Sequence, residues 1–376
     1  MKDKVSLKEI MKLFLKLGFI GFGGPVAHIS MMRDEVVVKR KWMSEQHFLD
    51  LLGATNLIPG PNSTEMAIHI GYDKAGFKGL ITAGLCFILP AVFITGIFAV
   101  LYHNYGQLPT VQSFVYGIKP AIVAVILAAV YPLTKQSVKS FSLGFIGIAV
   151  LVASLLGINE IYLMFGVGFL AIALYLINKR KTDSLQSFVP LISLQITKIT
   201  YLTTTDIKLF WTFLKIGSIL YGSGYVLFAF LDTELVTTGL LRRQQLLDAI
   251  AVGQFTPGPV FSSVTFIGYQ ISGVSGAVVS TIAIFLPSFV FVALLNPLVK
   301  RLRNSKVLSA FLDAVNVASV AIIVAVCFTM AKETLTDWKT IVIAIISIFT
   351  VLIFRKINSA FIVLGGAVSG FLLSLL

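Results

Sequence analysis

Apolar residues run along this chain in continuous stretches separated by short polar clusters. They fall near 10–31, 48–72, 79–102, 113–133, 141–157 and 160–178, then near 208–231, 246–269, 274–295, 309–330, 340–354 and 357–376. Such stretches, about 17–25 residues, match the length of a helix crossing a bilayer core. Continuous runs, without the alternation of an outer-membrane strand, exclude a β-barrel. The pattern therefore predicts an all-α polytopic membrane protein. In each series the first two stretches carry Gly-rich or Pro-Gly-Pro interruptions and polar residues, which predicts broken or re-entrant helices, whereas the later ones read as plain spanning helices.

The two series are copies of each other, and a repeat of this kind reorganises the whole reading. Phe14-Leu-Lys-Leu-Gly-Phe-Ile-Gly-Phe-Gly-Gly-Pro25 aligns with Phe213-Leu-Lys-Ile-Gly-Ser-Ile-Leu-Tyr-Gly-Ser-Gly224. Glu35 then matches Glu234, Gln46 matches Gln244 and Asp50 matches Asp248. Pro59-Gly60-Pro61 matches Pro257-Gly258-Pro259, followed by Gly71-Tyr72 with Gly268-Tyr269, Gly76 with Gly273, Gly79 with Gly276 and Pro90 with Pro287. Two single-residue gaps suffice for the whole order.

Composition supports the membrane reading: of 376 residues 57% are hydrophobic and 12% charged, with a mean hydropathy of +0.92. A soluble domain carries about twice that charge. The net charge of +13 sits at the ends of apolar spans, where it reads as a topology signal and not as a nucleic-acid surface. Cys86 and Cys327 lie in separate spans and support neither a disulfide nor a metal motif. No metal or other cofactor is called for: His28, His47, His69 and His103 make no ligand spacing on one helix, and HExxH and GxSxG signatures are absent, which argues against an enzyme.

Loop charges relate the halves to each other. Residues 103–112 lack Lys and Arg while the matching 296–306 holds Lys300, Arg301, Arg303 and Lys306; Lys74 and Lys78 in 73–78 face a matching loop with none. Cytoplasmic loops collect cations, so the reversal predicts inverted-topology repeats, with Arg242 and Arg243 as the exception. The expected domains are an N-terminal repeat, 1–183, and a C-terminal repeat, 206–376. Residues 184–205 form either an extra crossing segment, weakened by Pro190, Gln195 and Lys198, or an amphipathic surface linker.

Inverted repeats place substrate near the membrane midplane on broken helices. Pro59-Gly60-Pro61 and Pro257-Gly258-Pro259 stop one helix and allow another to start, with free N–H groups and the positive end of its dipole. Asn62, Ser63 and Thr64, and in the second copy Ser262 and Ser263, add polar donors there. That combination suits an oxyanion. Gly23, Gly24, Pro25 and Gly222 in the Gly-rich stretches would add backbone donors or permit close helix approach; the competing reading of all these residues is packing and kinking. Lys16 and Lys215, at equivalent positions, are read either as counter-charges to the anion or as snorkelling side chains. Glu65, His28 and Asp313 are the candidates for proton coupling.

Residues 14–25 followed by Pro59-Gly60-Pro61, with the second copy ending at Pro259, resemble the chromate ion transporter family in its two-domain form. The resemblance covers essentially the whole chain. It implies a multi-pass carrier in the bacterial or archaeal inner membrane that exports chromate, conferring chromate resistance, driven by the membrane potential or the proton gradient. It carries functional roles onto Gly23, Gly24, Pro25, Pro59, Gly60 and Pro61, and by similarity onto Lys16. Replacement of Gly24 and Pro25 by Ser223 and Gly224 leaves open whether both halves bind the ion. The implied mechanism is alternating access, with the oxyanion between halves that rock. The expected partners are a chromate- or sulfate-like oxyanion, the lipid bilayer and a second copy in a homodimer. A carrier for another anion such as sulfate, or an anion channel, fits the same residues.

Overall fold

The computed structural model describes residues 5–179, 204–222, 224–295, 305–354 and 358–375. Most of the expected 184–205 segment lies outside the described residues. Every regular element described is helical, and the elements form two matching series. The first is α1 (Leu7–Ile20), α2 (Gly24–Arg33), α3 (Glu45–Thr55), α4 (Asn62–Tyr105), α5 (Pro109–Ser137), α6 (Phe141–Leu155) and α7 (Glu160–Lys179). The second is α8 (Thr204–Ile219), α9 (Val226–Leu231), α10 (Arg243–Phe255), α11 (Ser263–Leu295), α12 (Lys306–Thr334), α13 (Trp338–Ile353) and α14 (Ser359–Ser374). α2 and α9 each run into one π turn, Asp34–Lys39 and Asp232–Val236.

The local signals explain these boundaries. A capping box of Ser6 and Glu9 starts α1, and Ser44 caps α3. Asn159 and Asn358 accept backbone N–H bonds at the starts of α7 and α14. α1, α2 and α3 have 14, 10 and 11 residues, at most about 21 Å against a hydrocarbon core of about 30 Å. They are too short for a full crossing, in keeping with the expected breaks. Five described helical segments are long and apolar enough to span: Asn62–Tyr105, Pro109–Ser137, Glu160–Ile177, Val260–Leu295 and Lys306–Thr334.

α4 and α11 share one detailed feature. In α4 the helix breaks at Ala75 (φ −139°, ψ 22°) and Gly76 (φ 59°, ψ −147°); in α11 it breaks at Ser272 (φ −140°, ψ 24°) and Gly273 (φ 64°, ψ −147°). Gly71 then lies against Gly79, and Gly268 against Gly276, so each short first arm folds back on its long second arm. The long arms run in opposite directions past each other: Gly84 lies on Phe289, and Leu80 clusters with Val292. Equivalent helices in opposed directions are what inverted repeats require.

The halves interlock. α5 packs on α14, α13 and α12, while its counterpart α12 packs on α7 and α6. Gly117 of α5 brings its backbone onto Gly366 and Gly370 of α14, a small-residue seam of the kind that lets spanning helices approach closely. The broken helices form a second group: α1 on α4, α8 on α11, and α4 on α11. The structural division thus runs between α1–α4 with α8–α11 and α5–α7 with α12–α14, across both repeats.

The kink glycines give a clean test. No atom stands within 4 Å of a methyl added at Gly76 or Gly273, so an alanine there is opposed by its backbone conformation alone, at about 1–3 kcal/mol. Gly76→Ala and Gly273→Ala should each lower the thermal midpoint in detergent, by similar amounts. A midpoint equal to wild type in both would refute the strained kink.

Candidate functional site

Both Pro-Gly-Pro turns sit where the repeats meet. Gly60 has φ 133° and Gly258 φ 89°, conformations that favour glycine. Gly60 N–H donates to Leu220 O at 2.8 Å, and Gly258 N–H donates to Gly21 O at 2.6 Å. Residues 21 and 220 are equivalent in the repeat, so the two turns exchange one hydrogen bond each with the Gly-rich break of the other half. A methyl at Gly60 would collide with Glu65 Oε1 and lie 2.7 Å from Ser288 Oγ; one at Gly258 would lie 2.9 Å from Ala91. Ser288 and Ala91 are equivalent as well. The N–H groups of both turn glycines are thus bound across the repeat interface.

Beyond the turns, α4 starts at Asn62, and α11 at Ser263 after a short 3₁₀ turn, Val260–Ser262. Pro59 and Pro61 are buried, as are Pro257 and Pro259. Asn62 Nδ2 donates to Asn56 Oδ1 at 3.0 Å, and Thr95 Oγ1 donates to Ser262 Oγ at 3.3 Å across the repeats. Glu65 is completely buried, with Ser288 Oγ donating to its Oε1 at 3.4 Å. Thr64 Oγ1 and Glu65 Oε2 on α4, and Ser263 Oγ and Ser280 Oγ on α11, are buried without a hydrogen-bond partner among the described residues. Unsatisfied buried polar groups cost about 1–3 kcal/mol each; Thr64, Glu65 and Ser263 stand at the helix starts, and Ser280 lies on the second arm of α11 against Gly268.

His28 ties this region together. Its Nε2 donates to Gly21 O at 2.8 Å, which leaves Nδ1 facing Ser63 Oγ at 3.2 Å as acceptor. Its ring edge meets Phe87. Gly23 (φ 102°) and Gly24 (φ 77°) open α2, with Pro25 in its first turn. Gly222 (φ 95°) holds the same place before α9, packed against Ser319 of α12.

Three candidates stand elsewhere. Lys16 pairs with Glu35 at 2.8 Å and Lys215 with Glu234 at 2.6 Å, both lysines half-exposed. Each reaches the π turn of its own repeat, so both cations are paired with carboxylates. Lys39 and Arg40 also contact Glu35, whose carboxyl is held below its ordinary value chiefly by the Lys16 hydrogen bond. Asp313 is partly exposed and pairs with Lys139 at 2.6 Å.

For one cluster the sequence suggested that Asp248 pairs with a cation but did not identify the partner. Lys119 of α5 pairs with Asp248 of α10 at 2.9 Å, with side chains 10% and 3% exposed, and the Tyr102 hydroxyl donates to the same carboxylate. A charge in a spanning helix was its signal, yet the partner lies in the other repeat. Tyr102 and Asp248 also line a crevice of about 320 Å³ between α4, α5, α10 and α14, otherwise chiefly apolar.

The sequence model for chromate transporters matches residues 8–173 and 207–371, one match per repeat. The chain belongs to the chromate transporter family. A chromate transport protein of Cupriavidus metallidurans is 31% identical over 373 residues, covering 97% of this chain and 92% of that protein. A probable chromate transport protein of Synechococcus elongatus is 33% identical, over 92% and 90% of the two chains. An uncharacterized transporter of Methanocaldococcus jannaschii is 28% identical over 99% and 96%. No solved structure matches. In this chromate transporter family member the repeated motifs are therefore the turns that join the halves.

Two outcomes follow from the geometry. Gly60→Ala should abolish transport while the protein still inserts, because the new methyl displaces Glu65 and Ser288; transport at half the wild-type rate or more would show the turn to be slack. The depressed carboxyl of Glu35 stabilises the fold fully above its ordinary value of 4.5, and this contribution is lost as acid takes the pH below it. Thermal midpoints of wild type and Glu35→Gln should therefore differ at pH 7 and converge on acidification below that value.

Proposed function

We propose that this protein is a secondary transporter that exports chromate across the cytoplasmic membrane by alternating access, using the two helix starts after Pro59-Gly60-Pro61 and Pro257-Gly258-Pro259 as the anion site. The observation that carries this reading is a buried hydroxyl at each start, Thr64 and Ser263, with no hydrogen-bond partner among the described residues. They are neutral donors at the positive ends of helix dipoles, the chemistry that holds an oxyanion without a fixed counter-ion. Sulfate has the same charge and shape and is expected to compete.

Energetics favour the outward direction. Moving one charge across the membrane is worth about 2.3 kcal/mol per 100 mV, so an interior-negative potential drives a dianion outward with about twice that. The potential thus suffices, with the proton gradient as the second source. Glu65 bears on this choice. A carboxylate beside Gly60 would repel a dianion at the same helix end, so the anion is accepted when Glu65 carries its proton. Gln at this position fixes the neutral state.

The test is uptake of labelled chromate into everted vesicles, energised and de-energised, with sulfate as competitor. Uptake that needs energisation, saturates and is inhibited by sulfate is expected. Glu65→Gln should retain uptake with a flatter pH profile. Flux indifferent to energisation would make the protein a channel, and sulfate flux without chromate flux would reassign the substrate.

A further inference from the structure

The two repeats agree in their helices but not in how their broken segments are seated. α9 is buried at all six positions, Val226–Leu231, and rests on α12 and α7. α10 rests on α5 and α14. The equivalent α2 and α3 pack on α1, α4 and the π turn of their own repeat, with no comparable packing on α5, α7, α12 or α14 among the described residues. α2 buries only His28 and Met32, and Val26 is 79% exposed. The α9–α10 end is closed against the bundle. The α2–α3 end is open.

Three polar contacts fasten the closed end. Asp248 of α10 meets Lys119 of α5, Thr233 after α9 donates to Glu160 of α7, and Arg243 of α10 meets Glu333 of α12 at 3.0 Å. Element boundaries fix the equivalent residues. α5 and α12 are both 29 residues long, which equates Lys119 with Asn316 and Gln136 with Glu333. Asn159 and Asn358 cap α7 and α14, which equates Glu160 with Ser359. α3 and α10 begin at Glu45 and Arg243, and the matched breaks and π turns equate Thr233 with Asp34.

Transferred to the open end, the three contacts become Asp50 with Asn316, Asp34 with Ser359, and Glu45 with Gln136. Each is a carboxylate opposite a neutral donor, and none is a like-charge or apolar mismatch. The sequences of the two ends have diverged, yet all three mirrored pairs remain able to bond. At present these carboxylates are engaged within their own repeat: Asp50 accepts from Gln46 at 3.2 Å, Asp34 pairs with Lys39 at 2.7 Å and Glu45 with Arg33 at 2.6 Å. The Arg33–Glu45 pair is itself the charge-reversed counterpart of Asp232–Arg243, at 3.0 Å.

We propose that this is one of two mirror-related states, and that in the other α2–α3 dock on the bundle through Asp50–Asn316, Asp34–Ser359 and Glu45–Gln136 while α9–α10 release Lys119, Glu160 and Glu333. The inference rests on the alternating-access reading and names its two latches. Arg33, Lys39, Arg40 and Lys41 between α2 and α3 place the open end on the cytoplasmic side, and Arg243, the apparent exception to that charge rule, is bound by Asp232 and Glu333. Two of the three present contacts join full charges where the mirrored ones use neutral donors, so the present latch is the tighter of the two.

Cross-linking tests this independently of the transported ion. In a Cys86→Ser, Cys327→Ser background, the pairs Thr233→Cys with Glu160→Cys and Asp34→Cys with Ser359→Cys are treated in membranes with a short, reducible bifunctional thiol reagent. Both pairs should cross-link, each cross-link should stop transport, and reduction should restore it. In the chain carrying all four cysteines, the two cross-links should exclude each other. Adding Asn316→Lys, which gives Asp50 a cationic partner, should shift the ratio toward the Asp34–Ser359 cross-link by about fivefold or more, the lower end of common coupling between linked sites. Absence of the Asp34–Ser359 cross-link in inserted protein, simultaneous formation of both, or a ratio unmoved by Asn316→Lys would each overturn the proposal. If the cross-links behave as expected and chromate is not carried, the two states stand and the substrate reading alone fails.

Discussion

The centre of this protein depends on two backbone hydrogen bonds, Gly60 to Leu220 and Gly258 to Gly21. In a bilayer an irregular backbone survives only where its polar groups find partners inside the protein. A Pro-Gly-Pro turn leaves one N–H to satisfy, and the Gly-rich break of the opposite repeat has a carbonyl left over where its helix ends. Each irregularity supplies what the other lacks. The repeats are consequently joined at their weakest backbone, and neither turn is satisfied without the other half of the chain.

The lysines of the Gly-rich segments do not bring a cation to the helix starts. Lys16 and Lys215, which the sequence left as either counter-charges or snorkelling side chains, are held by Glu35 and Glu234. Besides the Glu65 carboxyl buried beside Gly60, what remains at the starts of α4 and α11 is hydroxyl, amide and backbone. A dianion held by such groups is bound by partial charges, which suits a carrier that must let go as well as capture. It also predicts weak discrimination among oxyanions of one shape.

Much of this was legible in the chain. The repeat, the interruptions and the reversal of loop charge gave opposed halves and broken helices, because each depends on local composition. Glycines at 76 and 273 were matched by alignment, although their shared kink was not foreseen. Pairings across the repeats were not readable: Lys119 lies 129 positions from Asp248 by number, and nothing local marks them as partners. The Lys16 ambiguity was real, since the same residue type at a helix end serves an anion, a headgroup or a carboxylate. Only the position of Glu35, nineteen residues on in both copies, would have decided it.

The seam between α5 and α14 has a consequence for biogenesis. Gly117 finds Gly366 and Gly370 only after the last helix has been made. Until then α5 must wait in lipid with its close-approach face unmatched, and α6 and α7 wait in the same way for α12. Assembly of the first repeat is thus completed by the second, so a ribosome-bound intermediate holding one repeat would be an inserted but unfinished object, open to capture by a chaperone or by a stray complementary half.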